Sequence, residues 1–142
     1  MIPIHHPQLF ISMRSLKDAE LIRTVNLPAA GGEASTPPLD LTKGPPQEDC
    51  YELEVHVPAL PSLADGKSTT VTLEDSADAV TFVAIAALAP IQVTGAGGAG
   101  SAELSRRVCL PAMTRQHVRA TVAVDAAGGD NTAKRVTMAM LF

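Results

Sequence analysis

Residues 106–142, RRVCLPAMTRQHVRATVAVDAAGGDNTAKRVTMAMLF, carry the clearest structural statement in the sequence. Val118, Ala120, Val122 and Val124 alternate with His117, Arg119, Thr121 and Asp125, the period of two that sends one set to a buried face and the other toward solvent. Gly128, Gly129, Asp130 and Asn131 follow, residues that tolerate a chain reversal, and Val136, Met138, Met140 and Phe142 resume the alternation. The pattern predicts a β-hairpin with a strand leading into it. Its apolar Met-Leu-Phe end is expected to be tied into a sheet or a partner.

Working outward, the 142 residues suit one domain able to bury a core without staples. Charged residues make up only 18%, and the abundance of Ala, Val, Thr, Gly and Pro favours short strands and turns over long helices. The formal charge of −4 gives no general attraction to nucleic acid. No early stretch pairs a basic segment with an apolar signal core, and no apolar run reaches the ~20 residues of a membrane span. Nucleic acid and membrane are therefore not expected partners. Cys50 and Cys109 belong to no C-x-x-C pair, so both are expected as free, partly buried thiols in a protein kept in a reducing cytoplasm.

Residues 1–21 read as an arm ending in a short helical turn, and residues 22–142 as a β-sandwich domain. In the arm, Ile2, Ile4, Leu9, Phe10 and Ile11 lie among Pro3, His5, His6 and Pro7, and proline denies the segment regular structure. An arm this apolar must lie on its own domain or on a neighbouring chain. Ser15 and Asp18 form a capping pattern that predicts a helical turn over 15–21, with a first strand over 22–27. Residues 28–46, rich in proline and glycine, predict a surface loop in which residues 39–41 pair briefly as an edge.

A strand over 51–57 places Leu53, Val55 and Val57 inward and ends at Pro58; a second, over 69–74, places Val71 and Leu73 inward. Asp75, Ser76, Ala77 and Asp78 supply turn chemistry, and Glu74, Asp75 and Asp78 beside it predict a solvated hairpin tip. Residues 80–85 continue as a strand with Phe82 as its largest core residue, although the alanines through Leu88 make a helix the rival reading. Short strands at 91–94 and 107–110 flank a glycine-rich loop at 95–100. About eight strands result, at spacings typical of a sandwich.

The tests for chemistry return structural answers. Gly95, Gly97 and Gly100 spell G-x-G-x-x-G, but no helix opens on them and no βαβ unit surrounds them. Gly66-Lys67-Ser68 ends like a P-loop, yet Pro61 stands where the first glycine belongs and has no N–H for a phosphate. His5, His6, His56 and His117 lack the spacing of metal ligands, and Glu74, Asp75 and Asp78 lack the frame of a calcium loop. No nucleophile elbow is present, and Cys109 reads as core. Neither a catalytic activity, a cofactor nor a metal is expected. Arg106, Arg107, Arg115, Arg119, Lys134 and Arg135 give the last third a basic face; a solvated sheet face and a face docked on an acidic partner weigh equally there.

In order, LEVHVPAL, STTVTLEDSADAVTFVAI, VTGAGGAG, RRVCLPAMTRQHVRATVAV, GGDNTAK and RVTMAMLF resemble the capsid cement, or decoration, proteins of tailed bacteriophages, of the Bordetella-phage cement type. The resemblance covers residues 51–142. It implies an antiparallel β-sandwich of jelly-roll type, placed on the outer capsid surface of the virion as a homodimer that clamps neighbouring copies of the major capsid protein, with no catalytic role. The expected contact residues are Ile2, Ile4, Leu9 and Phe10 in the arm and Arg106, Arg107, Arg115 and Arg119 in the domain. A receptor-binding or glycan-binding module on a virion surface is the alternative; the absence of Trp and the single tyrosine, Tyr51, weigh against it.

Overall fold

The computed structural model describes residues 17–43 and 50–141. Its strands are β1 (Lys17–Asn26), β2 (Glu33–Ser35), β3 (Leu39–Asp40), β4 (Glu52–Val57), β5 (Ser68–Ser76), β6 (Val83–Ala84), β7 (Ile91–Thr94), β8 (Leu104–Cys109), β9 (His117–Val124) and β10 (Arg135–Leu141). One sheet has the order β1-β10-β4-β8, and the other β2-β9-β5-β6, with β3 continuing β2 along β9 and β7 continuing β6 along β5. All these strand pairs are antiparallel. The chain alternates between the two sheets in the sequence of a jelly roll, with β1, β4, β8 and β10 facing β2/β3, β5, β6/β7 and β9.

Alternation fixes what faces inward. Leu53, Val55 and Val57 of β4, Val71 and Leu73 of β5, Val118, Ala120, Val122 and Val124 of β9, and Val136, Met138 and Met140 of β10 belong to one buried cluster. Each such aliphatic side chain contributes about 1.5–3 kcal/mol by leaving water. The expected alternation in 51–57, 117–124 and 136–140 is thus the core itself. β10 runs to Leu141, which is fully buried, so the apolar end of the described chain is paired as expected.

The hairpin is not there. β9 lies between β2/β3 and β5 in one sheet, while β10 lies between β1 and β4 in the other. Ten residues, 125–134, separate them, far more than the two to five of a tight hairpin, and they arch from sheet to sheet. A period of two reports which side chains are buried, not which strand is the neighbour.

Other expectations need correction. Residues 17–21 of the expected helical turn belong to β1, because pairing with β10 overrides a local capping pattern; Ser15 and Leu16 lie outside the described residues, as does the arm. Much of the loop over 28–46 is sheet edge: Glu33, Ala34 and Ser35 pair with Ala123, Val122 and Thr121. Leu39, in the expected edge segment, pairs with Val118 and is fully buried. The predicted strand over 80–85 shrinks to Val83–Ala84, and Phe82 is a half-buried surface residue, not core. Neither a continuous strand nor a helix fills residues 80–88, since Ser76 and Asp78 hold a tight turn in which the Ser76 hydroxyl accepts from Ala79 N–H and the Asp78 carboxylate from Val80 and Thr81 N–H.

The cysteines are joined. Cys50 and Cys109 form a disulfide with a Cα–Cα distance of 5.8 Å, which overturns the expectation of free thiols. The cause is register: Glu52 lies opposite Cys109, and Leu110 N–H donates to the Tyr51 carbonyl, so the start of β4 and the end of β8 meet. A separation of 59 residues hid this from the sequence.

Candidate partner-binding surface

The loops divide into two groups. One end of the sandwich carries the connections β1–β2, β4–β5, β7–β8 and β9–β10, and these are stitched by main-chain bonds. Leu60 and Ser101 exchange both of their N–H···O=C bonds, Ala64 N–H donates to Gly128 C=O, Gly66 N–H to Gly95 C=O, and Ser62 N–H to the Asn131 side chain. Gly100, with φ of +70°, brings its Cα so near the Leu60 carbonyl that any Cβ would collide with it. This end is closed, and Gly95 and Gly100, two of the glycines that matched a nucleotide fingerprint, serve that closure.

The other end carries the β5–β6 turn, the segment after β6 and the β8–β9 loop. Asp75 closes the buried row of β5 here, where an apolar residue would be expected, and it is 8% exposed. Arg115 answers it from the β8–β9 loop: its backbone N–H donates to Asp75 Oδ2 at 2.9 Å, and its guanidinium reaches Oδ1 at 2.8 Å from Nη2 and 3.1 Å from Nε. Burial works to raise the Asp75 pKa, and the Arg115 hydrogen bonds and charge outweigh it, leaving the carboxyl below its ordinary value of 3.8. Beside this pair on the outer sheet face, Arg119 Nε donates to Glu74 Oε1 at 2.8 Å and the guanidinium carbon stands 4.1 Å from the centre of the Phe82 ring. Thr121 donates to the same Glu74 oxygen.

These contacts redistribute the expected basic face. Arg115 and Arg119 sit at one end of the β5–β9 pair and their charges are matched by Asp75 and Glu74. Arg106 and Arg107 belong to the other sheet, on its edge strand β8, and point to opposite sides of it, Arg106 opposite Val55 and Arg107 opposite Glu54. Arg107 lies 3.6 Å from Glu52; Arg106, on the core side of the strand, is exposed at the rim. A charge in the inward row of an edge strand blocks strand addition there. Glu74 and Asp75 are thus partners of arginines, not a solvated tip. Ile2, Ile4, Leu9 and Phe10 lie outside the described residues.

Sequence reasoning missed the apolar part of this end. Val80, Val83 and Met113 are 79%, 53% and 91% exposed, the large hydrophobics most open to solvent among the described residues. A groove lined by Ala84, Ala86, Ala87, Pro111, Ala112 and Met113 lies there, with Asp75 and Thr114 as its polar members. The signal was present: Met113 follows Pro111 in a stretch with no alternation, so no strand could bury it. Among the described residues, no group of three or more His, Cys, Asp or Glu could hold a metal ion, and no helix is long and apolar enough to cross a membrane.

No protein-family model matches the chain, and no curated protein matches it. Among solved structures it is similar to the crystal structure of PBSX exported protein XepA, with a TM-score of 0.52 and 11% identity over 99% of this chain. The match spans 39% of the length of that chain. At this identity the likeness concerns the fold.

Proposed function

We propose that the chain is a structural virion protein that binds the outside of a bacteriophage head, as a homodimer, and cements adjacent major capsid protein subunits. The observation that carries this reading is the strand order β1-β10-β4-β8 against β2-β9-β5-β6, which has the jelly-roll form implied by the resemblance to phage cement proteins. A distant structural similarity to a phage-related protein supports it from a second side.

In this reading the chain acts through contact area. Contacts made only in the assembled head stabilise it by linkage, because they are lost when subunits separate. The arm with Ile2, Ile4, Leu9 and Phe10 supplies apolar contacts, and Arg106, Arg107, Arg115 and Arg119 supply polar ones. Phage particles released from the host meet an oxidising medium, where a Cys50–Cys109 bond persists after synthesis in the host cytoplasm.

Mass spectrometry of purified particles tests the reading. The chain is expected in a copy number comparable to that of the major capsid protein, and deletion of residues 1–9 is expected to lower its occupancy on heads. A trace amount or absence would overturn the cement function; full occupancy by the shortened chain would remove the arm from it.

A further inference from the structure

β8 is the edge strand of its sheet, and its last residue, Cys109, is exposed, whereas Cys50 is half-buried. The disulfide joins the end of β8 to the start of β4 just where the β8–β9 loop departs. At its first end that loop is held by the disulfide and by Leu110 N–H on the Tyr51 carbonyl. At its far end Arg115 grips Asp75, and Leu41 N–H donates to the Gln116 carbonyl.

Between these ends the loop is a turn, shaped by Thr114 N–H on the Pro111 carbonyl, with a cavity on either side of it. Pro111, Ala112 and Thr114 are the wall that the two cavities share. One, of about 160 Å³, lies toward Leu41, Cys50 and Tyr51, and the other, of about 320 Å³, toward Asp75 and Ile85. The Thr114 hydroxyl oxygen is buried in the shared wall and has no hydrogen-bond partner among the described residues. Close packing holds a segment in one position, and an unpartnered buried hydroxyl destabilises the position it occupies. With space on both faces, the turn keeps its place through its two ends.

We propose that Cys50–Cys109 is a reversible redox latch on the β8–β9 loop, opened by a dithiol reductant at the exposed Cys109 sulfur, and that its opening loosens the loop as far as Arg115. Access selects the sulfur that is attacked. One thiolate of the reductant attacks Cys109 Sγ, forms a mixed disulfide there and expels Cys50 as a thiolate, which takes up a proton. The reductant's second thiolate attacks its own sulfur in the mixed disulfide, closing the reductant's disulfide and releasing Cys109, which is protonated in turn. Two electrons thus pass from the dithiol to the two cysteines, and a disulfide oxidant such as oxidised glutathione runs the exchange backward. In the host cytoplasm the latch is open, and in the oxidising medium outside it is closed. That timing rests on the cement reading; the latch itself does not.

Treatment of the oxidised full chain with dithiothreitol in the absence of denaturant tests the latch, with thiols counted by alkylation and mass spectrometry. The disulfide is expected to open in the folded chain at a rate that rises with dithiothreitol concentration. Residue-resolved hydrogen exchange then reads the loop. The Arg115 amide, six residues from Cys109, is expected to exchange several-fold faster in the reduced chain and in Cys50→Ser/Cys109→Ser, while the Leu60 and Ser101 amides stay protected. Oxidised glutathione should restore slow exchange in the natural chain and not in the variant. Reduction that levels off at the rate of global unfolding would overturn the inference, as would loss of protection at Leu60 and Ser101 together with Arg115. So would an Arg115 amide equally protected in both redox states, since the disulfide would then be a local staple. Particle binding does not enter these readouts, so a chain that is latched in this way but absent from heads would sink the cement reading alone.

Discussion

The two ends of the sandwich are built by different chemistry. At the closed end four sheet-crossing loops satisfy one another through main-chain bonds, Leu60 to Ser101, Ala64 to Gly128 and Gly66 to Gly95, with glycines where backbones touch. At the open end main-chain bonds such as Leu110 to Tyr51 and Leu41 to Gln116 are joined by side-chain ones, Arg115 on Asp75, Arg119 on Glu74 and Phe82, and by a disulfide, while Val80, Val83 and Met113 remain exposed. Main-chain bonds constrain a loop whatever its side chains are. Side-chain bonds leave the loop free to carry surface for a partner, and they make its order depend on redox state and pH.

The largest expected effect separates the ends by redox state. Replacing Cys50 and Cys109 with serine opens a loop of 59 residues' separation, which chain entropy values at about 4 kcal/mol as an upper figure. Urea unfolding measures the loss. Hydrogen exchange sharpens the comparison: the Leu110 amide, bonded to Tyr51 at the open end, should exchange faster in the variant by local opening, while the Leu60 and Ser101 amides should change only through global unfolding. Equal local acceleration at both ends would mean that they do not stand apart.

A glycine pair tests the closed end. Gly97 and Gly100 have φ of +64° and +70°, so alanine meets the same backbone strain at both, yet a Cβ at Gly97 has nothing within 4 Å and one at Gly100 collides with the Leu60 carbonyl. Gly97→Ala should cost about 1 kcal/mol from the left-handed conformation alone, and Gly100→Ala about 3 kcal/mol or more once the Leu60–Ser101 bonds are displaced. Similar melting temperatures for the two would break the argument that close packing of backbones closes this end.

What could be read from the sequence divides along a different line. Burial was legible, because Val118 to Val124 and Leu53 to Val57 alternate and alternation reports the face directly. Neighbour identity was not. The glycines at 128 and 129 mark a reversal whether the chain folds back within its sheet or arches to the other, and only the length of 125–134 leaned toward the arch. The disulfide and the Asp75–Arg115 pair are contacts across 59 and 40 residues that no local pattern encodes. Phe82 misled for a related reason, since an aromatic in an apolar run reads as core, and its cation partner Arg119 lies on another strand. Arg115 and Arg119 are expected from the sequence at a partner contact, and the fold pairs them with Asp75 and Glu74, acids that read locally as a solvent-facing turn.

The open end's ion pair gives the smaller effects. Arg115→Ala removes three side-chain bonds to Asp75, and with the guanidinium partly in water the loss should be about 1–2 kcal/mol, read from urea midpoints near neutral pH. Acid should then loosen both ends, because Asp130 in the β9–β10 connection is also held below its ordinary value, by the amide and hydroxyl of Thr132. The Asp75 carboxyl lies below its ordinary 3.8, and Asp78, held by the amides of Thr81 and Val80 and by Ser76, is lowered to about 2. A depressed folded pKa means that the stabilisation is complete above the unfolded value and is lost as pH falls through the folded one. Stability should therefore decline from about pH 4 toward pH 2. Asp75→Asn and Asp78→Asn, less stable at pH 6, should show a shallower decline over that window, because asparagine has no carboxyl proton to bind. If both variants fell in parallel with the natural sequence while Asp130→Asn showed the shallower decline, the acid sensitivity would belong to the closed end.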